Sequence, residues 1–319
     1  MNTALLRRAL LWVALALVMS WTIGHEGDAA PPTTGATQRA AIPLRPTVVF
    51  SRGKGACDIC VGIQQVWGYQ VRRVTDHPGN ETWPSWSPDG KRIVFQSDRD
   101  DVDGDIYTMK VDGTDVVRLT TTPGYDWLPR WAPGGDRIAW VRCLGTGFNV
   151  WVMNADGTNQ HAVTNHSSPD VQPDWAPFGG RLAFSSQRDG NAEIYTVKAN
   201  GTELTRLTNA PANDQEPAWS PDGQHIAFVR REVAPTEGGP TPFAHIFVMN
   251  SDGTGVTQLT HGNDSECCPR WSAQGTHIMF NSTRAGGWNI YTMRADGSNI
   301  QQVISSPTYD RVGDWLILR

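Results

Sequence analysis

Short runs in which apolar and polar positions alternate, each bounded by Gly, Pro, Asp or Asn, fill the chain from residue 46 to its end. The unit is plainest around Trp219, where EPAWSPDG (216–223) is followed by HIAFVR (225–230), HIFVMNSDG (245–253) and VTQLT (256–260). Ile226 and Phe228, like Ile246 and Val248, keep the period of two that sets alternate side chains on one face of a strand, and each run is too short for a core helix. Pro-Asp-Gly after Trp86 and Trp219, Asp-Gly at Asp112, Asp156, Asp252 and Asp296, and Asn-Gly at Asn200 mark the turns. Asp and Asn tolerate left-handed backbone and Gly has no Cβ to clash, as two-residue hairpins require.

The unit recurs. Trp86, Trp131, Trp175, Trp219, Trp271 and Trp315 fall at intervals of 45, 44, 44, 52 and 44 residues. A repeat of this length with four strands in each copy predicts the blades of a β-propeller. The first copy holds only PTVVFS (46–51), GIQQVWGYQ (62–70) and VRRVT (71–75), and the last only GDWLILR (313–319). Joining the C-terminal strand to the three N-terminal ones completes blade 1. The expected fold is therefore all-β, a six-bladed propeller of four-stranded blades over residues 46–319 with no open sheet edge. The one long interval is accounted for by VAPTEGGPTP (233–242), expected as a loop of blade 5.

WSPDG (86–90 and 219–223), its variants WAPGG and WAPFGG, and the IYTM segments at Ile106–Met109 and Ile290–Met293 resemble the TolB-type repeat, a relative of the WD repeats. The resemblance spans residues 46–319 and implies the propeller. It implies no single activity, because such repeats serve in periplasmic TolB, in the propeller domains of prolyl oligopeptidases and in secreted proteins of other roles. Only residues 25–45 are left for anything like TolB's N-terminal α/β domain, and no GxSxG nucleophile segment is present.

Composition narrows the setting. MNTALLRRALLWVALALVMSWTIG (1–24) has two arginines before an apolar run, as a secretory signal peptide does, and no Cys follows it for lipid attachment. Residues 25–45 are rich in Pro, Ala and Thr and read as a linker. The expected location is periplasmic or extracellular, with membrane attachment only if the leader is uncleaved. Net charge is −5, and no basic cluster offers the phosphate contacts of a nucleic-acid binder.

Measured back from the tryptophans, one position stands out. Glu81, Asp126, Asp170, Asp214, Glu266 and Asp310 each lie five residues before a tryptophan, although acids are only 32 of 319 residues. Strand order puts them around one mouth of the central channel. Such a ring either focuses cationic ligands or a hard cation such as Ca²⁺, or is neutralised by arginines of the same face. Arg52, Arg142 and Arg230 stand two residues after the second-strand aromatic in blades 1, 3 and 5, and Arg99, Arg188 and Arg284 four after it in blades 2, 4 and 6. Pairing of six acids with six arginines is the favoured reading, because uncompensated charge is costly near a partly dry channel.

Trp83, Tyr125, Trp127 and Tyr309, with Phe148, Phe243 and Trp288 opposite, belong to the same end. The candidate binding residues are thus Glu81, Trp83, Asp126, Trp127, Asp170, Asp214, Glu266 and Asp310, with the aromatics able to seat a peptide or stack on a sugar. Cys57 and Cys60 of blade 1 and Cys267 and Cys268 of blade 6 become neighbours on closure, and export favours two disulfides across the seam. A four-thiolate zinc site is the alternative, and Cys143 is left over. The loop SDRDDVDGDIY (97–107) has close-spaced acids but departs from an EF-hand and reads as a solvated hairpin. No catalytic set emerges from the scattered histidines. The expectation is an exported, non-catalytic binding or scaffold propeller that seats a protein, peptide or glycan partner of the cell envelope. The alternative is a secreted carbohydrate-active or ester hydrolase or lyase using channel carboxylates.

Overall fold

The computed structural model describes residues 47–53, 57–64, 69–145, 147–232, 243–305 and 309–316. The proposed leader, the linker and the 233–242 insertion lie outside the described residues. Within them the chain forms six four-stranded antiparallel sheets and no helix. Five sheets are built from consecutive strands. The sixth, blade 1, takes its inner strand Asp310–Trp315 from the C-terminal end and pairs it with Thr47–Arg52, followed by Asp58–Gln64 and Tyr69–Arg73. The expected six-bladed, C-terminally closed propeller is what forms.

The other inner strands are Glu81–Trp86, Tyr125–Trp131, Asp170–Trp175, Asn213–Trp219 and Glu266–Trp271, in blades 2 to 6. Each breaks register with its neighbour midway, between Thr82 and Ser85, Trp127 and Arg130, Val171 and Asp174, Gln215 and Ala218, and Cys267 and Arg270. At each break a non-glycine residue takes left-handed backbone: Trp83, Leu128, Gln172, Glu216 and Cys268, with φ of 53–59°. A proline follows each of them. These bulges re-aim side chains, as bulges do, and they shape the channel wall.

The turns differ in detail from the sequence expectation. In the turn between third and outer strands, Gly113 is left-handed (φ 87°), but Asp112 acts as an acceptor: its Oδ1 takes the Thr114 N–H at 2.9 Å and the Thr114 hydroxyl at 2.5 Å. Lys110 N–H bonds Thr114 O across a loop longer than two residues. An Asx-type bond therefore replaces the two-residue hairpin.

Blades pack through apolar clusters between neighbours. Trp86 sits in the cluster shared by blades 1 and 2, Trp175 in that of blades 3 and 4, and Trp271 in that of blades 5 and 6. Trp131, Trp219 and Trp315 lie only at the margins of the intervening clusters and are half-buried. Covering side chains account for the difference among blades 3 to 6. Arg137 lies over the Trp175 ring at 4.9 Å and His225 beside Trp271 at 6.5 Å, whereas Arg92 and Arg181 are drawn to Asp115 and Glu203 within their own blades.

Candidate functional site

The six-acid ring is a frame. All six carboxylates are fully buried, and each is bonded to the arginine of its own blade. In blades 1, 3 and 5 the guanidinium is a two-toothed fork: Arg52 on Asp310 at 2.7 and 2.6 Å, Arg142 on Asp126 at 2.7 and 2.7 Å, Arg230 on Asp214 at 2.7 and 2.8 Å. In blades 2, 4 and 6 the arginine arrives two residues later along its loop. There Nε donates to Ser97, Ser186 or Ser282, leaving Nη2 for Glu81, Asp170 or Glu266. In blades 2 to 6 the guanidinium also lies over the aromatic pair of the second and third strands, as Arg99 does over Phe95 and Tyr107. Burial pushes the Glu81, Asp214 and Asp310 carboxyls up in spite of these partners.

Two expectations are corrected by this burial. The acids do not face one another across an open mouth, so the oxygen cage that Ca²⁺ requires is not assembled among them. Trp83 and Trp127 are 8 % and 1 % exposed and pack against each other at 6.3 Å, with Tyr125 and Phe148 completing the cluster. Arg311 covers Trp83 at 3.7 Å. Asp105 of the acidic loop is likewise held by Arg118 and Thr120.

The five cysteines stand unbridged, and the expected disulfides are not formed among them. Closure does bring Cys60, Cys267 and Cys268 into one cluster, but the near sulfur contact is within the adjacent pair, at 3.2 Å. Cys57 is turned away, its Sγ donating to Gly53 O at 3.6 Å. Burial pushes the Cys60 thiol up to about 12.

The accessible feature is at the opposite mouth, where the inner strands end. A cavity of ≈ 110 Å³ is lined there by all six repeat tryptophans, by Pro88, Pro133, Pro177 and Pro221, and by Arg130, Asp174, Arg270 and Asp314. The residues preceding the six tryptophans read Ser85, Arg130, Asp174, Ala218, Arg270 and Asp314, a three-step pattern used twice around the ring. That pattern is visible in the sequence but invisible to a search for positions alike in every copy.

The four charges are not equivalent. Arg270 spends Nε on Gly313 O (3.1 Å) and Nη1 on Pro269 O (2.6 Å). Arg130 is 6 % exposed, and its Nη1 has no hydrogen-bond partner among the described residues. Asp314 accepts from the Ser85 hydroxyl and the Trp86 N–H, and Asp174 from the Trp219 N–H at 2.8 Å. Enclosure pushes the Asp174 carboxyl up to about 7, against the pull of Arg130 and the Trp219 N–H and with help from Asp314.

That shift has a measurable sign. The folded state keeps a proton on Asp174 that the unfolded chain has lost, so stability falls as pH rises from about 4 to about 7, by at most about 1.4 kcal/mol per pH unit. Asp174→Asn removes this contribution, and its advantage over wild type in urea midpoints should grow across that window. An advantage that stays constant with pH would rule the assignment out.

Residues 47–167 and 127–241 match the TolB beta propeller domain family. An uncharacterized protein of Agrobacterium fabrum (strain C58 / ATCC 33970) is 37 % identical over 70 residues, a stretch that is 22 % of this chain and 22 % of that protein's length. Among solved structures, the protein assigned as TolB of Agrobacterium tumefaciens superposes with a TM-score of 0.64 at 22 % identity, over 76 % of this chain and 94 % of that one. TolB from Acinetobacter baumannii does so at 0.69 and 18 % identity, over 85 % of this chain and 66 % of its own. With the family match spanning more than half of the sequence and the same fold in these neighbours, the chain belongs to the TolB β-propeller domain family.

Proposed function

We propose that this chain is an exported binding propeller, released by cleavage after residues 1–24, that seats a segment of a protein partner at the tryptophan-lined mouth. One observation carries the reading: the buried Arg130, with an unpartnered Nη1 at the wall of a cavity. A cavity of ≈ 110 Å³ is well below the roughly 300–1,000 Å³ of small-molecule sites, but it admits one side chain or a chain terminus. The fitting group is a carboxylate, which Arg130 meets with a charge-assisted bond. Around it, the half-buried Trp131, Trp219 and Trp315 offer the aromatic rim on which binding energy concentrates. The acid–arginine pairs at the other mouth then serve to fix the inner strand of each blade to its own second strand.

Selection of a random peptide library on the purified chain should return sequences with an Asp, Glu or C-terminal carboxylate beside apolar residues. Arg130→Ala should weaken the selected peptides roughly 10- to 100-fold, the worth of a buried charge-assisted bond. Recovery of peptides without acids, or equal binding by Arg130→Ala, counts against it. Asp174 supports a second reading, a hydrolase or lyase acting on a glycan or ester, since a carboxyl near 7 suits a general acid or base. That reading requires turnover that Asp174→Asn abolishes.

A further inference from the structure

In a regular strand successive side chains point to opposite faces. Left-handed backbone at Cys268 (φ 59°) undoes this alternation and brings its Sγ to 3.2 Å from that of Cys267. Both residues are buried in the channel wall. Glu216 occupies the equivalent left-handed position of the neighbouring blade (φ 55°), so a carboxylate oxygen and the two sulfurs all lie within 4.8 Å of one another. The carboxylate is held in place: Oε1 accepts from Gln172 Nε2 at 3.3 Å, and Oε2 accepts the backbone N–H of Cys268.

We propose that Cys267, Cys268 and Glu216 form a binding site for a divalent, thiophilic d¹⁰ cation of the zinc class. Three features fit this ion. With bonds of roughly 2.0–2.3 Å a tetrahedral ion needs ligand atoms roughly 3.3–3.8 Å apart, so side-chain shifts of about 1 Å complete the set. A cavity of ≈ 20 Å³, whose lining includes Trp83, Gln172, Glu216 and Cys268 together with Arg130 and Arg270, adjoins the ligands and has room for one water as the fourth. Charge also balances. Arg311 stacks on Trp83 with its Nη2 3.9 Å from Glu216, so its positive charge and that of the ion together match two thiolates and one carboxylate.

Loading exchanges two thiol protons, released to solvent, for one divalent ion, and the net charge of the buried cluster is unchanged. A monovalent soft ion would leave one negative charge uncompensated among the three ligands and Arg311. Hard ions such as Mg²⁺ and Ca²⁺ disfavour sulfur. The adjacent cysteines alone supply only two corners of a tetrahedron, which is why Glu216 belongs to the site.

The test is a titration of the reduced full chain with Cd²⁺, a zinc surrogate whose thiolate complexes absorb in the ultraviolet by charge transfer. The expected result is one ion per chain, about two protons released at neutral pH, and displacement by Zn²⁺. A chain carrying Cys57→Ser, Cys60→Ser and Cys143→Ser should bind as wild type does. Cys268→Ser, nearly isosteric, should bind at least tenfold more weakly with a reduced band, and Glu216→Gln should keep the band while weakening binding tenfold or more. Circular dichroism verifies folding of each variant, and Cys267→Ser serves if Cys268→Ser does not fold. Binding unaffected by either cysteine change or by Glu216→Gln overturns the proposal, as does a Cys267–Cys268 disulfide in the protein as isolated.

Discussion

Replacing Arg142 by alanine is expected to lower folding stability by about 3–5 kcal/mol, because it leaves a buried carboxylate without its partner. Arg142 is 3 % exposed and Asp126 fully buried. The fork closes at 2.7 and 2.7 Å, Nη1 donates to Gln160 at 3.1 Å, and Trp140 Nε1 gives Asp126 a further bond at 2.9 Å. The guanidinium also lies 5.2 Å from the Trp140 ring and 5.0 Å from that of Trp151. Arg99→Ala in blade 2 should cost less, because Glu81 keeps the Ser97 hydroxyl and has His77 at 3.8 Å. Urea unfolding reads both. The double change Asp126→Asn with Arg142→Met should recover much of the loss, since it removes both charges and leaves an acceptor for Trp140. If Arg142→Ala stays within about 1 kcal/mol of wild type, the buried pair does not anchor the inner strand of its blade in the way described.

The second large effect separates tryptophans that occupy one repeat position. Trp175→Ala and Trp271→Ala should each destabilise by about 3–5 kcal/mol, the cost of emptying a large aromatic site in a packed core. Their indoles are 5 % and 6 % exposed, and their Nε1 atoms donate to Arg130 O at 3.2 Å and Ala218 O at 3.1 Å. Trp131→Ala and Trp219→Ala should cost about 1–2 kcal/mol, since each ring is only partly buried at the margin of its cluster. These two changes should instead weaken the peptides captured at the mouth, with unfolding curves close to wild type. Equal destabilisation by all four would mean that the alternation of burial has no energetic counterpart.

Much of the acid ring was legible because it is local and periodic. An acid at a constant offset from the tryptophan, and an arginine near the end of the second strand, lie on hydrogen-bonded neighbours, so strand pairing alone brings them together. The two arginine offsets correspond to the two bonding modes. The working mouth was less legible. Trp83 and Trp127 look like contact residues because large aromatics near a channel often are, yet Arg311 covers Trp83, and Trp83, Tyr125 and Phe148 enclose Trp127. Arg130 and Asp174 are hard to single out because their position repeats every third copy, not in every copy. The expected disulfides rested on adjacency of blades 6 and 1, which is correct, but adjacency does not decide which sulfurs meet.

Repetition in the chain was enough to determine the architecture: strand period, turn chemistry and copy number leave one closed ring, and closure follows from complementary incomplete ends. Burial was decided only in three dimensions. Equivalent tryptophans differ because their neighbours' side chains do, Arg137 and His225 covering two of them while Arg92 and Arg181 are taken by acids in their own blades. Left-handed bulges turn Cys268 and Glu216 toward one another, and enclosure beside Arg130 sets the proton affinity of Asp174. Such properties depend on which groups exclude water from which others, and that is a property of the assembled ring.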